Sequence, residues 1–179
     1  MRVLLDACVL YPTVMRDILT GVAARGLFTP LWSARILEEW ARAAARNLPD
    51  QAEIARAEIA LLRADWPDAE VAVTASDETG LFLPDENDLH VLAAAIAGRA
   101  EVLLTLNLGD FPTRVLAAQG ILRRDPDGFL FGLWQDHPDI VAGVCDAVRR
   151  RAEAASGQPQ PMRKLLKRAG LPRLGKALG

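Results

Sequence analysis

The stretch spanning residues 83–112 constrains the fold more than any other. An acidic, turn-forming run, Leu83-Pro84-Asp85-Glu86-Asn87-Asp88, leads into Leu89-His90-Val91-Leu92-Ala93-Ala94-Ala95-Ile96 and stops at Gly98. The second run is Ala-rich and apolar nearly all round, so it predicts a buried helix. Val102-Leu103-Leu104-Thr105 follows as a short strand with no polar alternation, the pattern of a strand covered on both faces of a parallel sheet. The loop Leu106-Asn107-Leu108-Gly109-Asp110-Phe111-Pro112 then turns the chain toward another short helix that ends at Gly120.

The rest of the chain repeats this alternation. Val3-Leu4-Leu5 is a short buried strand ending at Asp6. Val14, Ile18, Leu19 and Val22 recur at helical spacing and are closed by Gly26. Residues 27–32 form a second strand, weakened by Pro30. Ser33 is placed to cap a helix carrying Leu37, Trp40 and Ala44 on one face. Asn47-Leu48-Pro49-Asp50 breaks that helix, another covers residues 51–64, and residues 69–73 alternate as a strand. Ile121-Leu122 is a candidate last strand. Alternating strands and helices predict an α/β fold, a three-layer α/β/α sandwich around a mostly parallel sheet.

Two helices over residues 129–134 and 140–152, a Ser/Gly/Pro/Gln linker and a basic helical tail over residues 162–179 predict a helical C-terminal extension. The expected division is a domain over residues 1–135 and an extension over 136–179. From Arg149 onward there are nine Lys/Arg against one acid, Glu153, although the whole chain of 179 residues carries a formal charge of only -2. That balance argues against a polycation gripping nucleic acid by bulk charge. Cys8 and Cys145 read as buried free thiols, and no zinc-ligand spacing occurs. No apolar run approaches a membrane span and no secretory leader is apparent, so a cytoplasmic location is expected.

Ligands of open parallel sheets sit at the carboxyl ends of the strands. Asp6 follows the first strand directly. Asp110, with Asn107 before it, lies in the loop after the strand at 102–105. Asp88 opens the helix feeding that strand. Glu38 and Glu39 lie in the helix after the second strand, and spacing alone does not say which points inward. Each has an ordinary alternative: Asp88 as a helix N-cap, Asn107 and Asp110 as turn formers, His90 as a partly buried helix residue. Tryptophans 32, 40, 66 and 134 read as core or partner-facing. Gathered carboxylates raise one another's pKa values or require a cation. An oxygen-only donor set suits Mg²⁺ or Mn²⁺, and such a site suits phosphodiester hydrolysis.

In order and spacing these residues resemble the PIN-domain family. VLLDACVLYP is similar to its strand-Asp opening and gives Asp6. SARILEEW is similar to its Ser-to-Glu helix, and that register selects Glu39. LPDENDLHVLAAAIAGRAEVLLTLNLGDFP is similar to its Asp-led helix, strand and Thr-x-Asn-x-x-Asp-Phe loop, giving Asp88, Asn107 and Asp110. The resemblance covers residues 1–135. It departs from the family at Cys8, where many members have a loop-ordering Asn, and at Asn107, where many have Asp. The resemblance implies a Mg²⁺- or Mn²⁺-dependent ribonuclease with Asp6, Glu39, Asp88 and Asp110 as catalytic, metal-holding residues and Asn107 beside them; Asp85, an additional acid close to Asp88, is a secondary candidate. It further implies an RNA substrate, the toxin role in a type II toxin–antitoxin pair, a cognate antitoxin and a homodimer. The alternative is a PIN-like binding module without turnover. A phosphoacceptor domain would need a Lys after a late strand, and none precedes Lys164.

Overall fold

The structure is a computed structural model describing residues 1–47 and 49–179; Leu48, part of the predicted helix break, lies outside the described residues. Along the chain the elements are β1 (Arg2–Leu5), α1 (Ala7–Leu10), α2 (Thr13–Ala23), β2 (Thr29–Ser33), α3 (Ala34–Asn47), α4 (Pro49–Asp65), β3 (Glu70–Val71), α5 (Leu89–Ala97), β4 (Val102–Leu104), α6 (Thr113–Ala118), β5 (Leu122–Arg124), α7 (Pro126–Asp136), α8 (Pro138–Ser156), α9 (Met162–Arg168) and α10 (Pro172–Leu178). Two short 3-10 turns, Ala75–Glu78 and Glu86–Asp88, punctuate the run between β3 and α5. The chain divides into two compact units, residues 1–11 with 29–124, and residues 12–28 with 125–179.

The first unit holds the sheet. Its five strands run in the order β3-β2-β1-β4-β5, and every pairing is parallel. This is the expected α/β/α arrangement, with the sheet wholly rather than mostly parallel. The central strands are apolar because both of their faces are covered: Val3, Leu4, Leu5, Leu103 and Leu104 are fully or almost fully buried, as are Val91, Leu92, Ala94 and Ala95 of α5. Pro30 survives in β2 for a geometric reason. Thr29 N donates to Met1 O on the β1 side and Trp32 N donates to Ala69 O on the β3 side. Alternation therefore points the position-30 nitrogen toward β3, which pairs only with Trp32 and Ser33. The missing N–H breaks no ladder bond. Ser33 caps α3 as expected, its Oγ accepting from Ile36 N at 3.2 Å.

The second unit is all helical. It joins α2, far back in the sequence, to α7–α10. Met15, Ile18, Leu19 and Val22 of α2 are buried, as are Val141, Val144, Cys145 and Val148 of α8. At Gly21 an added Cβ would fall 2.7 Å from Val144 Cγ1, so glycine sets the spacing of α2 and α8. The basic tail is packed rather than solvated. It forms two helices that bury Leu165, Leu166, Leu171 and Leu174, the leucines that its basic composition had masked. The expected domain boundary at residue 135 falls inside α7, within this unit.

Candidate active site

Register fixes the centre of the site. Leu5 pairs with Leu104, so the next residues along these parallel strands, Asp6 and Thr105, emerge side by side. Asp6 N donates to Leu104 O at 3.1 Å, and the Asp6 side chain caps α1 by accepting from Ala7 N at 2.6 Å. Its other oxygen accepts from Thr105 Oγ1 at 2.7 Å and from Cys8 Sγ at 3.2 Å. The carboxylate is only 6% exposed. Burial raises its pKa above the ordinary value, the Thr105, Cys8 and Ala7 hydrogen bonds pull it back, and the charge of Glu39 adds to the rise.

Cys8 takes part in this network. Its Sγ accepts from Leu106 N at 3.3 Å, and Thr105 Oγ1 accepts from Asn107 N at 3.0 Å. The start of the loop after β4 is thus tied to Asp6 through a thiol and a hydroxyl. Burial, and then the neighbouring Asp6 charge, push the Cys8 thiol up to about 12. It therefore stays protonated and can donate to Asp6. On the far side of the loop, Arg123 of β5 donates to Phe111 O at 2.9 Å and also to Leu108 O. The loop carrying Asn107 and Asp110 is held at both ends.

Asp88 does not act as the cap that its position suggests. It stands at the N-cap of α5 in helical backbone geometry and makes no side-chain capping bond. Asp85 does cap, accepting from Asn87 N at 2.9 Å to close the Glu86–Asp88 turn. The half-buried Asp88 is pushed up to about 6, first by burial and then by the charges of Asp6, Asp110, Asp85 and Glu39. These five carboxylates therefore share one electrostatic field. Asn107 is exposed and Asp110 half-buried, with Asp110 N donating to Asn107 O at 3.1 Å.

The two glutamates of α3 separate cleanly. Glu38 is exposed and pairs with Arg42, one turn on, at 3.2 Å. Glu39 is half-buried, with Oε1 2.7 Å from His90 Nε2 and 3.9 Å from Arg35 Nε. His90 is 2% exposed. The Glu39 contact lies off the ring's hydrogen-bonding direction, so neither ring nitrogen has a directed hydrogen-bond partner among the described residues. Arg35 also pairs with Glu78 at 3.3 Å. Sequence reasoning passed over His90 and Arg35 as flanks of Glu39. The contacts join α3 to α5 and to the Ala75–Glu78 turn, and no local pattern announces them.

Oxygen donors alone and mutual repulsion at Asp88 fit a hard divalent cation. Among the described residues no three Asp, Glu, His or Cys side chains already form a metal-binding cluster. Mg²⁺ accommodates this, since it keeps several waters and needs only one or two direct carboxylates. Carboxylates that raise one another's pKa at the carboxyl edge of a parallel sheet make this a candidate acidic, oxygen-donor site.

Comparison with known proteins gives the class a family. The PIN domain family model matches residues 2–109, more than half of the chain, and the chain belongs to that family. The matched span contains Asp6, Glu39, Asp88 and Asn107, and Asp110 follows it directly. The chain is also 41% identical over 64 residues to a Mycobacterium tuberculosis protein named "Putative ribonuclease VapC50". That match covers 34% of this chain and 38% of the relative, well under half of either. No solved structure matches significantly. Among the described residues no helix is long and apolar enough to cross a membrane.

Proposed function

We propose that the chain is a divalent-metal-dependent endoribonuclease and the toxin of a type II toxin–antitoxin pair. The observation that carries the reading is Asp88: a helix-opening carboxylate left without a capping bond and raised to about 6 amid four other acids. Asp85 supplies the cap at this helix start, so capping does not account for Asp88. Membership of the PIN family and the ribonuclease name of the mycobacterial relative support the same reading.

In this reading Asp6, Glu39, Asp88 and Asp110 hold Mg²⁺ or Mn²⁺, directly or through water, with Asn107 and Asp85 beside them. The bound ion would make a water acidic enough to attack near neutral pH and would offset charge on the phosphoryl oxygens. The protein's own part is positioning. Thr105, Cys8 and Ala7 fix the orientation of the Asp6 carboxylate. Glu39 sits against His90 and, at longer range, Arg35. The Cys8 tie to Leu106 orders the start of the loop that presents Asn107 and Asp110. The reading carries with it an RNA substrate, a cognate antitoxin, a homodimer and a cytoplasmic location.

The test is cleavage of end-labelled single-stranded RNA by the full chain in Mn²⁺ and in EDTA. Wild type should cleave only with metal, and Asp6→Asn, folded by circular dichroism, should not cleave at all. Cleavage by Asp6→Asn, or cleavage surviving EDTA, would overturn the reading. In the cell, growth arrest by the wild type should be relieved by Asp6→Ala.

A further inference from the structure

The second unit carries features that the acidic site does not use. Its eleven Lys/Arg face seven Asp/Glu, a balance of +4, whereas the sheet unit holds ten against sixteen, a balance of -6. Charge of the sign that phosphates need is therefore concentrated in the helical unit. No acid follows Glu153 in the sequence. Arg163, Lys164, Lys167 and Arg168 of α9 and Arg173 and Lys176 of α10 are all exposed.

Between α7 and α10 lies a groove of about 470 Å³ lined by Phe131, Trp134, Arg173, Lys176 and Ala177. Phe131 and Trp134 sit one helical turn apart and half-buried, with ring centroids 5.5 Å apart and planes inclined by 37°. The Arg173 guanidinium lies over the Phe131 ring, 4.8 Å from its centroid. No carboxylate lines the groove. Its walls are fixed from below by Asp127, 7% exposed, which accepts from Arg173 N at 2.8 Å and from Leu174 N at 3.0 Å. This buried carboxylate anchors the start of α10 on α7, so aromatic and cationic groups are set in place before any ligand arrives.

We propose that this groove binds single-stranded RNA, a base stacking on Trp134 with Phe131 behind it holding Arg173 in place, while Arg173 and Lys176 meet the flanking phosphates. Aromatic platforms rimmed by cations accept any base, because every base has a π-face, and the backbone supplies the charge. An apolar peptide segment would leave the rim cations unpaired, and an acidic one would leave the rings unused. The inference rests on the ribonuclease reading only for the nature of its ligand.

The experiment uses the full chain carrying Asp6→Asn, in EDTA, with a fluorescein-labelled single-stranded RNA dodecamer followed by anisotropy. Trp134→Ala should weaken binding roughly tenfold, while Trp134→Phe, which keeps a ring, stays near the parent. Arg173→Ala with Lys176→Ala should flatten the dependence of log affinity on log salt by about 1 to 1.5, as two lost phosphate contacts require. Circular dichroism confirms that the variants fold. Affinity within twofold of the parent in Trp134→Ala, or equal binding of duplex RNA, overturns the proposal and leaves the groove to a protein partner. Wild-type cleavage in Mn²⁺, measured in parallel, keeps the two readings apart. Binding that depends on Trp134 without cleavage defeats only the nuclease reading. Cleavage with binding indifferent to Trp134 defeats only this one.

Discussion

Replacing Asp88 by Asn should make the metal-free protein more stable at neutral pH. The folded protein raises the Asp88 carboxyl from 3.8 to about 6, through burial and four neighbouring carboxylates. A carboxyl raised on folding favours the folded state below its unfolded value. That contribution disappears as pH climbs through the folded value, so ionised Asp88 is a liability above about pH 6. A shift of about two units corresponds to a ceiling of about 3 kcal/mol. Asp88 is half-buried, and solvent screening reduces this to about 1–1.5 kcal/mol. For a chain of this size that is a rise in melting temperature of about 2–6 °C. The assay is thermal unfolding in EDTA at pH 4, 5, 6 and 7.5. The variant should gain on the wild type across that series and lead it at pH 7.5. Adding Mn²⁺ should close the gap, because the ion stabilises the wild-type site by mass action. If Asp88 served as an ordinary helix cap, removing its side chain to Ala would cost about 1 kcal/mol. A melting temperature that falls in Asp88→Asn and Asp88→Ala at pH 7.5 would refute the repulsion argument.

Three further outcomes follow from contacts described above. Thr105→Val removes the hydroxyl that donates to Asp6 and accepts from Asn107 N; denaturant melts should show a loss of about 2–3 kcal/mol, and RNA cleavage should fall with it. Native Cys8 should resist thiol reagents at pH 8, since its thiol is pushed up to about 12 and only the thiolate reacts; rapid labelling of the folded chain, located by mass spectrometry, would contradict the buried network. Asp127→Ala leaves the buried Leu174 N–H and the part-buried Arg173 N–H without their acceptor at the start of α10, and thermal melts should register a loss of about 1–3 kcal/mol.

Much of the sheet unit was legible because its central strands, β1 and β4, are apolar runs and its acids fall at strand ends and helix starts. Asp6 could be placed because Leu5 ends an apolar run, and Asp88 because it precedes one. The choice of Glu39 over Glu38 needed a family register; in space it follows from Trp40 and Ile36 turning inward, leaving Glu38 outward beside Arg42. Other features had no local signature. The four residues of α1 continue an apolar run and are too short to display a helical period, and only the Asp6 cap marks them. His90 meets Glu39 through tertiary packing of two helices. The buried leucines of α9 and α10 were hidden among cations, and the partnership of α2 with α7–α10 spans more than a hundred residues.

That last partnership has a consequence for how the chain is made and cut. The helical unit is assembled from two separated stretches, with the strands of the sheet encoded between β1 and Arg124. No single cleavage releases one unit intact. A chain stopped at residue 124 would keep α2 but lack α8, against which it packs, so part of the cover over its buried face would be missing. During synthesis α2 must wait for the ribosome to deliver residues 125–179 before it can dock on α8. Anything that intercepts the emerging protein in that interval meets α2 without its α8 partner, so the time in which residues 125–179 are made is when this molecule is most open to capture, by a chaperone, a protease or a partner.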